Sequence, residues 1–465
     1  MDNDVQNDVQ NDVQNARDKA QERPQSAVSY AVGICGLIGL FLWVFIARHF
    51  GEVAALFGYM DMPARADGPY SGLLAMLCCA LPMICWSIFV DKVHLRESTG
   101  INWRQKAKIS DIIDDSFVKL VGLWMTWALI AICYFMGRWY WQGPFQFSMQ
   151  LMEAAIIPLV LLSIPYVIWL DQYLVNRRDG AWHMGAMLAA RQGWQSEKIF
   201  HHLRAWAVKG FFLAFMLAIV PDGFRAVINA DFAQMWTNPV LAAQILIIMM
   251  FMVDVQFASV GYLLTMRPLD AHIRTANPYM QGWVAALICY PPILLMANDR
   301  PLDYRPDDHS WAFWFAGHDM MLMIWGALLV GLTAIYAWAT VAFGLRFSNL
   351  THRGIITNGP YAWTKHPAYL SKNLFWWCAT LPFITNGSAA EALRNSMILL
   401  LISAVYYWRA RTEEKHLGQD PIYQHYMGWM QNNGAVTKFF AHAGAYLSSR
   451  FGRGRAQHGG DMNSQ

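Results

Sequence analysis

The chain has 465 residues, of which 56% are hydrophobic and only 14% charged, with a mean hydropathy of +0.23 and a formal net charge of +3. Soluble domains carry about 25% charged residues. Here the apolar residues come in long blocks, which excludes an ordinary soluble enzyme and predicts an all-α, polytopic integral membrane protein. The small net charge and the lack of any nucleic-acid motif exclude nucleic acid as a partner. The expected partners are the lipid bilayer and a lipidic or amphipathic small molecule; nothing in the sequence sets the oligomeric state.

The 22 Trp and 19 Tyr suit belts at the two membrane surfaces. Cys35, Cys78, Cys79, Cys85, Cys133, Cys289 and Cys378 all lie in apolar segments, without zinc-ligand spacing or a readable disulfide framework. They read as small core hydrophobes, and no metal site is expected.

Residues 1–26 are polar and open with Asn-Asp-Val-Gln at 3–6, 7–10 and 11–14. Such a segment buries too little apolar area to fold alone and is expected to be a disordered tail. The first apolar block begins near Val28 and runs into Ala47-Arg48-His49 without a cleavage site, so it reads as a span and not a signal peptide.

With about 20 apolar residues per crossing, ten spans are predicted, near 28–47, 71–90, 118–137, 154–172, 206–221, 239–264, 281–297, 319–344, 371–385 and 391–408. The fifth and ninth are short, which points to re-entrant segments or to extension into flanking polar residues. Loop charge alternates. The loop at 91–117 holds Lys92, Arg96, Arg104, Lys106 and Lys108, and that at 173–205 holds Arg177, Arg178, Arg191, Lys198 and Arg204. Arg267 and Arg274 follow span six, and Arg346, Arg353 and Lys365 follow span eight, whereas the intervening loops carry single arginines such as Arg65, Arg138 and Arg225. The alternation predicts that both termini and the even-numbered loops are cytoplasmic. With no retention or organelle signal, a bacterial inner membrane is expected. The implied organisation is a polar tail at 1–26, a transmembrane scaffold at 27–318, a C-terminal module at 319–440 and a flexible basic tail at 441–465.

The stretch from Ser196 to Trp206 mixes apolar and basic residues at helical spacing and predicts an interfacial helix leading into span five. Its His201-His202 pair is not read as a metal site, because adjacent helical residues point in different directions. Asp254 falls inside span six beside Gln256. An ionisable residue there is a functional candidate by default, with a hydrogen bond inside the bundle as the equal alternative. Arg-Pro-Leu-Asp occurs at 267–270 and 300–303. The predicted topology places the copies on opposite sides. Arg267, Asp270 and His272, with Arg274 and Asn277, are candidates to line a substrate vestibule. The second copy, running on to Asp308, reads as a structured external loop.

The chemistry concentrates near the C-terminus. Gly359-Pro360 and His366-Pro367 each constrain the backbone. Tyr361, Trp363, His366 and Tyr369 therefore ride on a fixed frame that suits either a flat ring or an interfacial loop. Span ten is expected to continue as one helix through Leu417. Arg409, Glu413 and His416 then follow one face at i, i+4 and i+7, and Arg411 pairs with Glu414 at i, i+3. Gln419-Asp420-Pro421 ends this helix, and Tyr423 and Tyr426 open a short amphipathic one.

Taken in order, Gly359-Pro360-Tyr361, His366-Pro367-Ala368-Tyr369, Glu413-Glu414-Lys415-His416-Leu417 and Tyr423-Gln424-His425-Tyr426 resemble the isoprenylcysteine carboxyl methyltransferase and phospholipid methyltransferase superfamily. The resemblance covers roughly residues 340–430. It implies S-adenosylmethionine as cofactor, bound without a Rossmann domain between the last helical hairpin and the C-terminal helices. Tyr361, His366, Pro367, Tyr369, Tyr423 and Tyr426 would line that pocket, with Glu413 and Glu414 at its polar end. Arg409 and Arg411 would orient an acidic acceptor. A carboxylate acceptor needs no base; for an amine or thiol, Glu413 or His416 would take the proton. Lys365 stands where the family has arginine, and Ser371-Lys372-Asn373 where it has glycine; these departures bear on the acceptor. The same module is similar to NADPH-dependent membrane sterol and steroid reductases, but Pro367 and the paired glutamates favour methyl transfer. A transporter, suggested by Asp254 and the span count, ranks third.

Overall fold

The computed structural model describes residues 22–297, 300–305, 309–436 and 438–439. The Asn-Asp-Val-Gln repeats, the expected basic tail at 441–465, and residues 298–299 and 306–308 of the second Arg-Pro-Leu-Asp loop lie outside the described residues. The main helices, numbered in chain order, are α1 (Tyr30–Arg48), α2 (Pro69–Val90), α3 (Ile109–Met136), α4 (Phe145–Asp171), α5 (Gly180–Leu188), α6 (Ser196–Asn229), α7 (Pro239–Leu263), α8 (Met280–Leu287), α9 (Asp319–Val341), α10 (Pro367–Thr380), α11 (Ala389–Leu417) and α12 (Pro421–Asn433). Among the described residues eight of these, all but α5, α8, α10 and α12, are long and apolar enough to cross a membrane. The chain is thus an all-α polytopic membrane protein.

Of the ten expected segments, two are not helices long enough to cross, and the fifth extends into its polar flank, one of the two expectations for it. The segment expected at 281–297 begins as α8, only 8 residues long, and Pro291-Pro292 then removes two backbone donors and stops any helix. The one expected at 371–385 is α10, 14 residues long. At 1.5 Å per residue it reaches about 21 Å, short of a hydrocarbon core of about 30 Å, and it ends where Leu381 takes a left-handed φ of +48°. The fifth span is not short. It fuses with the expected interfacial helix into the 34-residue α6.

The core sits where α1, α2, α6, α7 and α9 meet, around Leu40, Met83, Phe224, Phe257 and Val260. Lipid tails are as apolar as leucine, so helices in a bilayer associate through close backbone contact. The α3–α5 crossing shows this: a Cβ on Gly122 would overlap Ala181 O, and one on Gly185 would overlap Val118 O. In contrast, α4 turns Ile157, Leu161 and Leu162 outward.

Two short strands, β1 (Thr275–Ala276) and β2 (Thr351–His352), pair antiparallel. They join the segment after α7 to the segment after α9, so both helices finish at the same end of the bundle and the broken 280–318 segment makes the return. The Lys/Arg-rich loops gather there. Buried Asp270 is 2.7 Å from Arg346, 3.4 Å from Arg274 and 3.7 Å from Arg96, and Ile101 bridges to Leu174. The end of the expected N-terminal tail and the first residue after it also belong to this end: Thr357 Oγ1 donates to Pro24 O at 2.6 Å and Ala27 N to Ile355 O at 2.9 Å. Arg353 is buried without a carboxylate partner among the described residues and donates to the carbonyls of Gly261, Leu264, Ala271, Leu345 and Phe347.

Substituting Gly185→Val is expected to overpack the α3–α5 contact and lower stability by about 1–3 kcal/mol, read as a lower thermal midpoint in detergent. Gly223→Ala, where an added Cβ meets nothing within 4 Å, should leave the midpoint unchanged or raise it slightly.

Candidate functional site

The site begins with a backbone that Gly359 shapes. Its φ is +57°, and a Cβ there would press on the indole of Trp338 at 3.0 Å, so glycine alone fits. A tight turn at Gly359–Ala362 follows. Pro367 then occupies the first position of α10, where its missing N–H costs nothing, and His366 precedes it at the N-cap. The start of α10 lies against the last turns of α11.

That hairpin gathers six side chains. His366 Nε2 is 3.1 Å from Glu414 Oε1, Lys365 Nζ is 2.5 Å from the same oxygen, and Arg411 donates to Glu414 Oε2 at 2.8 Å. One carboxylate thus serves three basic partners. Tyr369 donates its hydroxyl to Glu413 Oε2 at 2.9 Å. The His366 and Tyr369 rings are stacked within 7° of parallel, centroids 5.6 Å apart.

Arg409 forms the inner wall. It is buried, its guanidinium 5.2 Å from the Tyr369 ring centroid and 5.5 Å from that of Tyr290, and it donates to Asn349 Oδ1 at 2.6 Å. Asn349 in turn donates from Nδ2 to the hydroxyls of Tyr262, at 2.8 Å, and Tyr290, at 3.2 Å. A buried cation is tolerable only with such hydrogen-bonding and aromatic partners.

Helix α12 closes the outer side. Tyr423, Tyr426 and Met430 pack on Ile355, and Tyr426 donates to Tyr361 O at 2.6 Å. Burial, reinforced by Glu413, raises the Tyr361 phenol well above its ordinary pKa, and burial with Glu414 and Glu413 does the same for Tyr423. Both phenols remain protonated. Tyr423 Oη is buried with no hydrogen-bond partner.

The structure brings Tyr361, His366, Pro367, Tyr369, Arg409, Glu413, Glu414, Tyr423 and Tyr426 into one region. Arg411 stands exposed at its edge, engaged with Glu414. His416 is turned elsewhere: its Nε2 meets Thr275 Oγ1 of β1 at 2.9 Å. The expected vestibule divides. Asp270 is consumed by the arginine cluster, and Asn277 by a bond from Tyr279 N, whereas Arg267 and His272 line a separate cavity. Asp254 accepts from Tyr336 at 2.9 Å and Thr340 at 2.5 Å, both on α9. Lys372, one turn beyond Tyr369, lies 5.3 Å from the ring centroids of both Tyr336 and Trp376. Asn349, Tyr262 and Tyr290 carried no sequence signal, since each sits alone in an apolar or turn context.

Comparison with known proteins picks out this same region. Residues 321–419 match the isoprenylcysteine carboxyl methyltransferase (ICMT) family. No curated protein and no solved structure matches the chain. The ICMT-like module therefore runs from the start of α9 through α10 and α11 to just past Leu417.

Asn349→Ala would strip Arg409 of its acceptor and leave the Tyr290 hydroxyl without its donor, while Tyr262 keeps the donation from the residue 349 backbone N–H. A loss of about 1–3 kcal/mol is expected, measured as a fall in thermal or urea midpoint in micelles, with Asn349→Asp retaining more stability because it keeps an acceptor for the guanidinium.

Proposed function

We propose that the protein is an S-adenosylmethionine-dependent methyltransferase acting on a lipid or other membrane-embedded acceptor that presents a carboxylate, amine or thiol. The observation that carries this reading is the coincidence of the ICMT-matched residues with the Glu413–Glu414–His366–Tyr369 constellation. S-adenosylmethionine offers the matching chemistry: a flat adenine, a ribose diol, an amino-acid end and a sulfonium whose methyl is already activated for transfer. The parallel His366 and Tyr369 rings suit the flat part, the two carboxylates suit hydroxyls or an ammonium, and the unpartnered Tyr423 hydroxyl supplies a further contact.

The residues' tasks in this reading are mostly positional. Lys365, His366 and Arg411 fix Glu414 from three sides, and Tyr369 fixes Glu413, so both carboxylates are oriented before anything binds. Arg409 holds an acidic acceptor. Glu413 takes the proton when the acceptor is an amine or thiol, and a carboxylate acceptor gives up none. The aromatic wall of Tyr290, Tyr369 and Tyr406 keeps water from the nucleophile. The gathered Lys/Arg-rich loops support a cytoplasmic location for this end in a bacterial inner membrane, with residues 319–440 as the catalytic module and 27–318 as its scaffold.

S-adenosylhomocysteine should raise the thermal midpoint of the detergent-purified protein, and NADPH should not; a shift with NADPH alone would instead favour a reductase. His366→Ala and Glu414→Gln should each weaken S-adenosylhomocysteine binding by about tenfold or more, the loss of one or two charge-assisted hydrogen bonds. Incubation of membranes with methyl-labelled cofactor should leave label in an extractable lipid, and label-free lipid fractions would reject the acceptor class.

A further inference from the structure

A second site lies in the scaffold, outside the matched residues. Helices α3, α4, α5 and α6 and the 265–273 segment enclose a cavity of about 540 Å³. It shares Asp179, His201, Arg267 and His272 with a neighbouring chamber at the loop end, lined also by Arg178, Lys198 and Arg274. The two ends differ in chemistry. Trp127, Leu159 and Leu162 wall the first cavity. Leu159 and Leu162 are more than half exposed on the outer face of α4, at 52% and 65%, so this end opens sideways onto the lipid-facing surface.

The loop end is cationic. Six Lys and Arg line the two chambers against two aspartates, Asp171 and Asp179. Both aspartates are occupied by Lys119, at 2.5 and 3.4 Å, and Asp171 also accepts from Ser116. Lys209 donates to Thr265 at 2.8 Å and sits 4.8 Å from the Trp206 ring centroid, and Arg267 donates to Thr99 O at 3.1 Å. Neither has a carboxylate partner among the described residues. His272 Nδ1 is buried with no partner, and burial with nearby arginines holds its imidazole down to about 3, hence neutral. Partly buried cations without counter-charge are costly until an anion offsets them.

We propose that this slot binds an anionic amphiphile, its head group held by Lys209, Arg267 and His201 and its hydrocarbon chain laid along Trp127, Leu159 and Leu162. A soluble anion has no use for the apolar lateral end, and a neutral lipid has none for the cations. The orientation fits a molecule from the leaflet at the charged end of the bundle. The assignment stands independently of methyl transfer.

The test uses the full chain in a neutral detergent and native mass spectrometry with phosphatidylglycerol, phosphatidylcholine or inorganic phosphate as probes. Phosphatidylglycerol should bind one to one and in preference to phosphatidylcholine. The double variant Lys209→Gln, Arg267→Gln should lose about thirtyfold in affinity. Leu162→Trp, a surface change, should weaken lipid binding while leaving the thermal midpoint unchanged. Equal retention of both lipids, unaltered affinity in the double variant, or unaltered affinity in Leu162→Trp overturns the proposal. Inorganic phosphate competing as well as the lipid would also overturn it, because the site would then be one for a soluble anion.

Discussion

A helix that ends inside a protein leaves its last carbonyls without donors, and the last turns of α7 around Ser259, Val260 and Tyr262 are buried. Arg353 answers that need. It spends its guanidinium on five backbone oxygens, one from the final turn of α7, two from the segment after α7 and two from the segment after α9. Burial, with Arg346 nearby, holds it down to about 9. Arg346 donates in turn to Arg353 O at 3.0 Å and pairs with Asp270. With this clasp in place the β1–β2 pairing follows, Asn349 sits beneath Arg409, and the Gly359–Ala362 turn starts from a fixed point.

The two charged centres built on that platform differ in kind. Glu414 stands nearer the surface and is held by Lys365, His366 and Arg411, of which Arg411 is exposed. Arg409 is an interior group whose neighbours are rings and an amide, and its geometry depends on Tyr262, Tyr290 and Tyr369 staying put. An anion held by three cations thus stands one turn along the helix from a cation held by rings and an amide.

Much of this was legible from residue order. Charge alternation grouped the loops that meet around Asp270, because long-range grouping follows from counting crossings and tolerates two broken ones. Gln419-Asp420-Pro421 marked the break between α11 and α12, because proline at the first helical position and aspartate before it are local signals. The 281–297 segment reads as a continuous helix because hydrophobicity does not report helix length, which Pro291-Pro292 limits. His416 shares a helical face with Arg409 and Glu413 on paper, yet over two turns the face swings from Tyr369 to Thr275. Asn349 was invisible because its role comes from three tyrosine and arginine neighbours distant in sequence.

The continuity of α11 fixes a distance. Its 29 residues measure about 43 Å, and about 30 Å of that is used by the first twenty, ending near Arg409. Arg409 therefore follows directly on the last apolar turns of the helix, and Glu413 and Glu414 stand one turn further along it. A single uninterrupted helix thus sets the spacing between the buried guanidinium and the two carboxylates, about 6 Å along the axis, and no break lies between them to let that spacing drift.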